Sequence, residues 1–438
     1  MALDLHFHGH GFSKGLMLPS CQHFPACGGC QILDLDYSSQ LEAKEEELRR
    51  HFGDWPTLPI SPILPSPSLY GYRHKVQLPF GLEGRGIEWK DMKRKARDSS
   101  SPAVLATLGC FAAGSHVVVD QEECLVQDAG LSKAAWAVRD WANAHSVPIY
   151  RENSGEGWLR HLLLRKGAGT GEILLGLVTN GPGSGPQNLV LDLVERIQKV
   201  LTQPSQISET SENAVKDELV GIVQSLNVEK NNVVLGGQEQ LLWGRDHLRE
   251  ILGPFRFKVG MSTFFQVNPF QTPRLYDLAV AGLSEKASIL DLYSGIGSIA
   301  LWAAKASRTV LGIEENQASV EIARQAAIEN GVENVSFLAA DVADALDDLV
   351  TGRLTGSGPF DTAIVDPPRK GLEVRIRDSL LKLGLKRIVY VSCFPPTLAR
   401  DARAMAGQFR LVSLSPVDMF PHTRHIECVA VFEAIEYG

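Results

Sequence analysis

The sequence predicts an α/β fold in which a mostly β region precedes an open parallel sheet flanked by helices. Between residues 70 and 257, several short apolar runs are bounded by Gly, Asn or Pro, which is typical of strands. After residue 288, short apolar runs instead alternate with helical patterns, which is typical of a parallel sheet. We therefore expect a tail over 1–20, a mostly β region over 21–258 and an α/β domain over 259–438.

The composition is that of an ordinary globular protein. Of the 438 residues, 44% are hydrophobic and 21% are charged, which is close to the average for globular chains. The sequence contains no run of 18 apolar residues and no signal-peptide core, so we expect a cytoplasmic protein without a membrane span. The net charge of −8 argues against a generally basic nucleic-acid binder, although local clusters of Lys and Arg can still contact phosphate.

Three of the cysteines lie close together, in Cys21-Gln22-His23-Phe24-Pro25-Ala26-Cys27-Gly28-Gly29-Cys30. A metal site built on these thiolates needs a fourth ligand, and the candidates are Cys110 and Cys124. Cys110 lies in an apolar run that is typical of a buried strand, where the usual cysteine is structural. Cys124 follows an acidic turn, so we choose Cys124. Four thiolates hold either zinc or an iron–sulfur cluster, and the spacing does not separate these two.

The region after the cysteines contains two predicted helices and three polar segments. Residues 41–52 predict a charged helix with a solvated face, and residues 129–145 predict an amphipathic helix. The basic clusters Tyr70–Lys75 and Lys90–Arg97 are each either an RNA contact or a solvated segment. The polar stretch Gln203–Lys216 predicts an exposed loop.

The chain enters the α/β domain through Phe264-Phe265-Gln266-Val267-Asn268-Pro269. Asn followed by Pro is typical of a helix N-cap and first helical residue, so we expect a helix to begin at Asn268. Gln266 then lies just ahead of that helix, where its amide can face a ligand.

The first strand of the α/β domain is followed by a glycine turn. The run Ile289-Leu290-Asp291-Leu292-Tyr293-Ser294-Gly295-Ile296-Gly297 predicts a strand and a tight turn, and a helix pattern follows. Glycines allow positive φ and a close approach of a ligand to the backbone. The Gly-x-x-Gly extension that is typical of dinucleotide-binding turns is missing, so we do not expect a pyrophosphate ligand.

Acidic residues stand at the carboxyl ends of successive predicted strands, namely Asp291, Glu314, Asp341 and Asp366. Parallel sheets bind ligands along that edge. Glu314 follows Asp291 by 23 residues, a distance that suits a carboxylate bonded to ribose hydroxyls. Because carboxylates repel phosphate, a positively charged nucleoside such as S-adenosylmethionine fits this edge best.

Two residues near the carboxyl terminus are candidates for covalent and acid–base chemistry. Cys393 ends the apolar run Ile388–Ser392 and precedes two prolines that begin a helix, a position that predicts a lowered pKa for its thiol. Glu427 opens the last apolar strand, which favours a role in proton transfer. Cys428 points to the opposite face of that strand, and we expect it in the core.

At this point the chain resembles a known family, the RNA 5-methyluridine methyltransferases, and among them the iron–sulfur enzymes that act on 23S ribosomal RNA. The resemblance extends from Cys21 to Phe432. It rests on Cys-x5-Cys-Gly-Gly-Cys-Gln, Phe-Phe-Gln-Val-Asn-Pro, Asp-Leu-Tyr-Ser-Gly-Ile-Gly, Val-Asp-Pro-Pro-Arg-Lys-Gly, Val-Ser-Cys and Phe-Pro-His-Thr-x-His-Ile-Glu.

The resemblance implies a Rossmann-like, S-adenosylmethionine-dependent methyltransferase domain behind a mostly β, RNA-binding region with a [4Fe–4S] cluster. It implies that the cluster ligands are Cys21, Cys27, Cys30 and Cys124. It implies that the S-adenosylmethionine contacts are Gln266, Tyr293, Ser298, Glu314, Asp341 and Asp366, although Ser298 stands where members often have Asn. Cys393 falls on the nucleophile and Glu427 on the base.

The implied substrate is an unpaired or flipped-out uridine, because C5 of a paired base is unreachable inside a duplex. We expect a monomer that acts on 23S ribosomal RNA. A transfer-RNA uridine methyltransferase remains an alternative, and so does a non-catalytic iron–sulfur protein that binds RNA or senses redox state. A cytidine methyltransferase is disfavoured, since those enzymes typically carry a second cysteine where this chain has Pro367-Pro368.

Overall fold

The structure is a computed structural model, and it describes residues 20–82, 105–181, 188–203, 215–354 and 358–435. The histidine-containing tail, the basic cluster Lys90–Arg97 and most of the polar stretch Gln203–Lys216 lie outside these residues. None of the helices in the described ranges is long and apolar enough to cross a membrane.

The central region is built on a seven-stranded sheet with the order β3-β2-β1-β4-β5-β6-β7. Only β5 and β6 pair in parallel; the other neighbours are antiparallel. The strands are β1 (Lys75–Leu82), β2 (Ala106–Phe111), β3 (Val118–Asp120), β4 (Leu159–Lys166), β5 (Glu172–Thr179), β6 (Glu218–Leu226) and β7 (Gln238–Gly244). The apolar runs over residues 78–80, 117–119, 162–164, 173–178 and 221–226 predicted strands, and they overlap β1, β3, β4, β5 and β6, which confirms these five.

In the described part of the amino-terminal half, the structure has three helices, namely α1 (Tyr37–His51), α2 (Ala129–Ala144) and α3 (Asn188–Leu201). The helices α2 and α3 bury apolar side chains such as Trp141 and Ile197 against the central sheet. This confirms the amphipathic helix predicted over 129–145.

The helix α1 differs from its prediction as a solvated element. Asp36 caps it by accepting a hydrogen bond from the Ser39 amide at 3.0 Å, and one of its faces buries Gln40, Lys44 and Leu48. Leu48 joins the apolar core of the carboxyl-terminal sheet. The sequence did not indicate the buried face of α1, because the polar residues Gln40 and Lys44 occupy two of its interior positions.

A two-stranded hairpin, β8 (His247–Leu252) and β9 (Phe255–Gly260), joins the two halves. Phe257 and Val259 of this hairpin share one apolar core with Leu163 of the central sheet and with Ile289 of the carboxyl-terminal sheet. The hairpin therefore packs against both sheets.

The carboxyl-terminal sheet has the order β12-β11-β10-β13-β14-β16-β15. Its strands are β10 (Ser288–Leu292), β11 (Thr309–Glu314), β12 (Val335–Ala339), β13 (Thr362–Val365), β14 (Arg387–Ser392), β15 (Phe409–Val417) and β16 (Glu427–Ala434). The strands β10 to β14 run parallel, as predicted. The strand β16 is antiparallel to both β14 and β15, and the sequence reasoning did not anticipate β15.

Helices flank this sheet and fill the connections between its strands. They are α4 (Thr272–Val280), α5 (Ser298–Ala304), α6 (Gln317–Glu329), α7 (Val342–Val350), α8 (Val374–Lys382) and α9 (Pro395–Met405). The alternation of parallel strands and helices confirms the α/β fold class.

The predicted helix start at Asn268 is wrong, since α4 begins at Thr272. The Asn268 side chain instead accepts hydrogen bonds from the amides of Phe270 and Gln271, at 3.2 and 3.1 Å. Its amide nitrogen donates to the carbonyl of Met419 at 3.0 Å. Asn268 therefore shapes the turn before the helix and ties it to the segment after β15.

Candidate active site

The glycine turn after β10 leaves an open space at the carboxyl edge of the sheet. Tyr293, Gly295 and Gly297 have φ values of 62°, 54° and 80°. A Cβ atom at Gly297 would lie 2.6 Å from the Phe337 ring, so only glycine fits there. A Cβ atom at Gly295 would meet no described atom within 4 Å, which is the space that a bound molecule needs.

Two polar groups beside this space are buried without a partner among the described residues, namely Oδ2 of Asp291 and Oγ of Ser294. Buried polar atoms are nearly always hydrogen-bonded, so these two atoms are free to bond a ligand or an ordered water. Burial, and then the charge of Asp366, raise the pKa of Asp291 well above its usual value. The sequence signal for Asp291 was its place at the end of a strand, but it was not among the predicted contacts.

Glu314 lies at the same edge and holds the glycine turn. Its carboxylate accepts hydrogen bonds from the amides of Gly295 at 3.1 Å and Asn316 at 2.9 Å. Asp341 is more peripheral: it is exposed, and it caps α7 by accepting from the Asp344 amide at 3.0 Å. The structure thus gives Asp341 a capping role in addition to its predicted place at the edge.

Gln266 precedes α4 in the chain, and Ser298 is the first residue of α5. The Ser298 hydroxyl is 3.0 Å from the hydroxyl of Tyr276, and Gln266 is buried in the segment that leads to α4. Burial, and in smaller part the charges of Asp366, Asp291 and Glu427, raise the pKa of Tyr276. Tyr276 therefore joins Ser298 to the acidic edge, which the sequence reasoning missed.

Cys393 and Glu427 meet at the ends of two adjacent strands. The antiparallel register pairs Ser392 of β14 with Cys428 of β16, so the next residue, Cys393, lies across from Glu427. Glu427 is buried. Cys428 is fully buried in the core, as predicted.

Asp366 completes a group of three ionisable side chains at this point. Burial raises the pKa of Asp366 to about 7. Burial, and then repulsion from Asp366, raise the pKa of Glu427 well above its usual value, while Arg369 opposes that change.

The predicted lowering of the Cys393 pKa is wrong. Burial, followed by the charges of Glu427 and Asp366, raises the pKa of the Cys393 thiol to about 11. The residue does precede helix α9, which begins at Pro395. Burial and the two carboxylates together outweigh the helix dipole, whose effect is smaller than that of a full charge.

Arg369 is the positive charge that opposes these carboxylates. Its charge lowers the pKa values of Cys393 and Glu427, and its guanidinium lies 5.0 Å from the centre of the Phe394 ring. The Arg369 carbonyl accepts a hydrogen bond from the Thr397 hydroxyl at 3.2 Å, which holds its loop against α9. The motif Asp-Pro-Pro-Arg contained this residue, but its role was not predicted.

A second site lies in the central region, where a cavity of about 90 Å³ is lined by Cys21, Cys27, Cys30, Cys110 and Cys124. The sulfur of Cys27 accepts hydrogen bonds from the amide of Gly29 at 3.3 Å and from the side chain of Gln121 at 3.0 Å. Burial, and then the sulfur charges of Cys124, Cys27 and Cys21, raise the pKa of Cys30 to about 12. The thiols therefore face one another closely enough for their charges to interact.

The structure does not show the cysteines in the arrangement of a metal site, so the predicted iron–sulfur site is not confirmed. Across the described parts of the chain, no group of three or more His, Cys, Asp or Glu side chains is arranged to hold a metal ion. Cys110 is half-buried at this cavity rather than an ordinary core cysteine. Both candidates for the fourth ligand face the cavity, so the choice of Cys124 stays a prediction.

The aromatic and basic segment Tyr70–Lys75 is largely internal. Tyr72 and His74 are buried, and Tyr70 stacks on His422 with ring centres 4.9 Å apart. Arg73 lines the cysteine cavity. The structure therefore favours a packing role over a solvated segment for most of these side chains.

A groove of about 1670 Å³ lies at the opposite end of the carboxyl-terminal sheet, where Thr362 and Arg387 begin their strands. Parallel sheets bind ligands at the carboxyl ends of their strands. We therefore place the active site at the edge with Cys393 and not in this groove.

Comparison with known proteins identifies the family. A family model described as tRNA (uracil-5-)-methyltransferase matches residues 185–435, which is more than half of the chain. The chain belongs to this family. Relatives described as uncharacterized RNA methyltransferases include one from Leptospira interrogans, 40% identical over 94% of this chain and 98% of the relative. Another, from Gloeobacter violaceus, is 36% identical over 97% of this chain and 86% of the relative.

A solved structure of the same kind covers both halves of the molecule. The tRNA (uracil-54, C5)-methyltransferase of Pyrococcus abyssi, in complex with S-adenosyl-L-homocysteine, has a TM-score of 0.68 and 28% identity. The similarity covers 93% of this chain and 86% of the archaeal chain. The resemblance to RNA uracil-C5 methyltransferases is thus confirmed, whereas its iron–sulfur subtype is not.

Proposed function

We propose that this uracil-5-methyltransferase family member transfers a methyl group from S-adenosylmethionine to C5 of a uridine in RNA, with Cys393 as nucleophile and Glu427 as base. One observation carries the proposal: the β14–β16 register sets Cys393 across from a buried Glu427, at the edge of the sheet that also bears Asp366. A nucleophile and a base side by side on a ligand-binding edge are what a covalent mechanism requires.

The residues at the glycine turn fit S-adenosylmethionine. Glu314, which lies beside the glycine turn, would accept bonds from the ribose hydroxyls, and the unpaired oxygens of Asp291 and Ser294 would offer further polar partners. Gln266, Tyr293, Ser298, Asp341 and Asp366 would complete the contacts. The bound cofactor supplies an electrophilic methyl group, and the carboxylates along the edge favour its positive charge.

Cys393 activates the uracil ring. Its thiolate forms a bond to C6, and the electron pair of the C5–C6 double bond moves to C5. C5 then takes the methyl group, and the bond between this methyl and the sulfonium sulfur breaks with its electron pair left on that sulfur. The thiolate must form from a thiol with a raised pKa, so Arg369 has the task of stabilising the sulfur charge beside two carboxylates. The positive charge of a bound cofactor would also stabilise the Cys393 thiolate.

Glu427 resolves the adduct. It accepts the proton from C5, the C5–C6 double bond forms again, and the bond between C6 and the Cys393 sulfur breaks with its electron pair returning to sulfur. The raised pKa of Glu427 makes it a stronger base once it is ionised. General-base catalysis typically contributes ~10²–10⁴-fold in rate.

We also propose that Cys21, Cys27, Cys30 and Cys124 hold a [4Fe–4S] cluster. The support is the convergence of their thiols on one cavity and the sequence resemblance to iron–sulfur members. Such a cluster would cross-link the amino-terminal segment to the central sheet through four thiolates.

The proposed RNA target is a looped or flipped-out uridine of 23S ribosomal RNA, on the strength of the cysteine motif. A transfer-RNA uridine is the second candidate, because the solved relative with a TM-score of 0.68 is a tRNA (uracil-54, C5)-methyltransferase. The ribosomal and the transfer-RNA uridine would undergo the same reaction at C5 of uracil, so the active site does not separate these two candidates.

An assay with purified protein, S-adenosylmethionine labelled on its methyl group, and separate pools of ribosomal and transfer RNA tests the proposal. We expect 5-methyluridine in the ribosomal pool, and Cys393→Ala as the control should give none. Label in transfer RNA alone would select the second candidate. An active wild-type preparation that yields only 5-methylcytidine, or that binds RNA without transferring methyl, would contradict the proposed function.

A further inference from the structure

The strands β15 and β16 are joined by residues 418–426, which we call the β15–β16 loop. Val417 pairs with Glu427 at the mouth of this hairpin. Glu427 is therefore the first residue after the loop, and its backbone continues directly from the loop into β16.

The first half of this loop is held by groups from outside the hairpin. Four successive backbone carbonyls each accept a hydrogen bond from a distant residue: Met419 from Asn268 at 3.0 Å, Phe420 from Lys44 at 3.1 Å, Pro421 from Tyr72 at 2.9 Å, and His422 from the amides of Gln31 at 3.1 Å and Ile32 at 3.2 Å. A loop that was merely a connection would not need these partners, since exposed carbonyls are satisfied by water.

His422 has the most complete set of contacts in the loop. It is buried, with φ at 67°. Its amide donates to Oε1 of Gln40 at 2.9 Å, its Nδ1 lies 3.1 Å from the Gln40 amide nitrogen, and its Nε2 lies 3.1 Å from the Leu69 carbonyl. Because Gln40 donates and the carbonyl accepts, the ring is neutral with its proton on Nε2.

The partners of His422 come from a single stretch of chain. Gln31, Ile32, Gln40, Leu69 and Tyr70 all precede β1, and Gln31 and Ile32 directly follow Cys30. The carbonyl of His422 is therefore bonded to the first two amides after the cysteine segment Cys21–Cys30. This places one set of hydrogen bonds between the cysteine cavity and the loop that leads to Glu427.

We propose that His422 is a positioning residue, which fixes Glu427 for proton abstraction and couples its position to the order of the cysteine segment. This inference rests on the proposed function of Glu427. A displacement of about 1 Å in a catalytic group can cost ~10²-fold in rate, and Glu427 has no part in the addition of Cys393 to C6. Loss of the His422 contacts therefore slows release of the adduct and leaves methyl transfer nearly intact.

The test compares His422→Ala with His422→Asn in single-turnover reactions with RNA. Alanine removes the ring and is strained at positive φ, whereas asparagine tolerates that conformation and keeps the carbonyl in place. In His422→Ala we expect methyl transfer within about threefold of wild type, and release of methylated RNA from the covalent complex slower by ~10–100-fold. His422→Asn should recover part of the release rate.

Glu172→Gln serves as the control for a general loss of stability. Glu172 is a buried carboxylate that bonds to Arg249 in the central region, and it makes no contact with the loop among the described residues. The Glu172→Gln substitution should lower the melting temperature without changing the ratio of the rate of methyl transfer to the rate of adduct release. If His422→Ala slows both steps equally, or neither, the positioning role is wrong.

Hydrogen exchange tests the coupling without relying on activity. The amides of Asp418 and His422 are bonded to Leu64 and Gln40, so both should be protected in protein loaded with iron. Removal of iron with a chelator should speed their exchange in wild type and have less effect in His422→Ala. Unchanged exchange in wild type would overturn the coupling. A wild-type protein without methyl transfer would instead contradict the proposed function, and the exchange result would stand separately.

Discussion

The Nζ atom of Lys44 lies 2.6 Å from Oδ1 of Asp418, and both side chains are buried. The Tyr37 hydroxyl donates to the other oxygen of Asp418 at 2.9 Å. Since Lys44 is in α1 and Asp418 directly follows β15, this ion pair fastens the amino-terminal helix to the methyltransferase sheet. Burial lowers the pKa of Lys44, while Asp418 opposes that change.

Replacing Lys44 with Met should destabilise the fold, because Asp418 would remain as a buried charge without its cation. Removal of one partner of a buried pair typically costs ~3–5 kcal/mol. Urea denaturation would measure this loss. The exposed pair Arg50–Glu47 provides the control, since Arg50→Met should change stability by less than ~1 kcal/mol. Adding Asp418→Asn to Lys44→Met should restore part of the loss, and equal stability of Lys44→Met and wild type would refute this account.

Cys393→Ala and Glu427→Gln should fail at different steps. Without the thiol, neither the covalent complex nor methylated RNA should form. Without the base, addition and methyl transfer can proceed, but the C5 proton lacks an acceptor, so turnover should fall by ~10²–10⁴-fold. Denaturing electrophoresis with labelled RNA would then show a trapped complex for Glu427→Gln only. Methylation by Cys393→Ala, or normal turnover by Glu427→Gln, would remove these residues from their roles.

Glu314→Ala should weaken the binding of S-adenosylmethionine, because it removes a charge-assisted hydrogen bond worth about 1.5–3 kcal/mol. It also removes the acceptor for the Gly295 amide, which loosens the glycine turn. Calorimetry would measure the affinity. The neighbouring Glu315 is exposed, so Glu315→Ala is the matched control and should bind as wild type does. An unchanged affinity in folded Glu314→Ala would exclude Glu314 from the site.

Cys124→Ser should lose iron if Cys124 is the fourth cluster ligand, whereas Cys110→Ser should retain it. Both cysteines face the cavity, so the pair of variants is well matched in position and chemistry. Iron analysis and the visible absorption of anaerobically purified protein would measure the content. Loss of iron from Cys110→Ser alone would reverse the assignment of the ligand.

Activity should rise with pH. The thiolate of Cys393 is the reactive form and its pKa is about 11, so its fraction grows about tenfold per pH unit below that value. The raised pKa of Glu427 acts in the same sense on the later release of the adduct, since only the ionised carboxylate is a base. Single-turnover methyl transfer between pH 6 and 9 would test this. Asp366→Asn, measured with saturating cofactor, should move the profile to lower pH because one repelling carboxylate is gone. A flat profile for wild type would show that the thiol is already ionised.

The parallel strands β10 to β14 could be predicted because each is a short apolar run that ends at a polar residue. The strand β15 also carries local signals, since Phe409–Val417 interleaves Arg410, Ser413 and Ser415 with apolar residues and Gly407 separates it from α9; the sequence reasoning overlooked them. The burial of α1 was missed for a different reason. A lysine is read as a surface residue unless its buried partner, here 374 positions away, is known.

The sequence predicted which candidate residues share one edge of the sheet, and it predicted their electrostatics less well. Motifs and strand ends identified Cys393, Glu427 and the acidic edge. The direction of the Cys393 pKa was not predictable from the helix start alone, because Asp366 and Glu427 approach it from other strands. Likewise, Asn268 was read as a helix cap, yet its amide bonds to Met419 across the fold. Local signals do not encode such distant partners.

The pairing of Val417 with Glu427 has a consequence for which insertions and deletions the chain can tolerate. Successive side chains of a strand point to opposite faces, so a shift of one residue in β16 exchanges the two faces. Such a shift would withdraw Glu427 from the edge beside Cys393 and bring Cys428, now in the core, to its place. A deletion that shifts β16 by one residue in this direction would therefore replace a carboxylate by a second thiol, whereas residues 423–426 lie outside the paired strands, so extra length there need not alter the register.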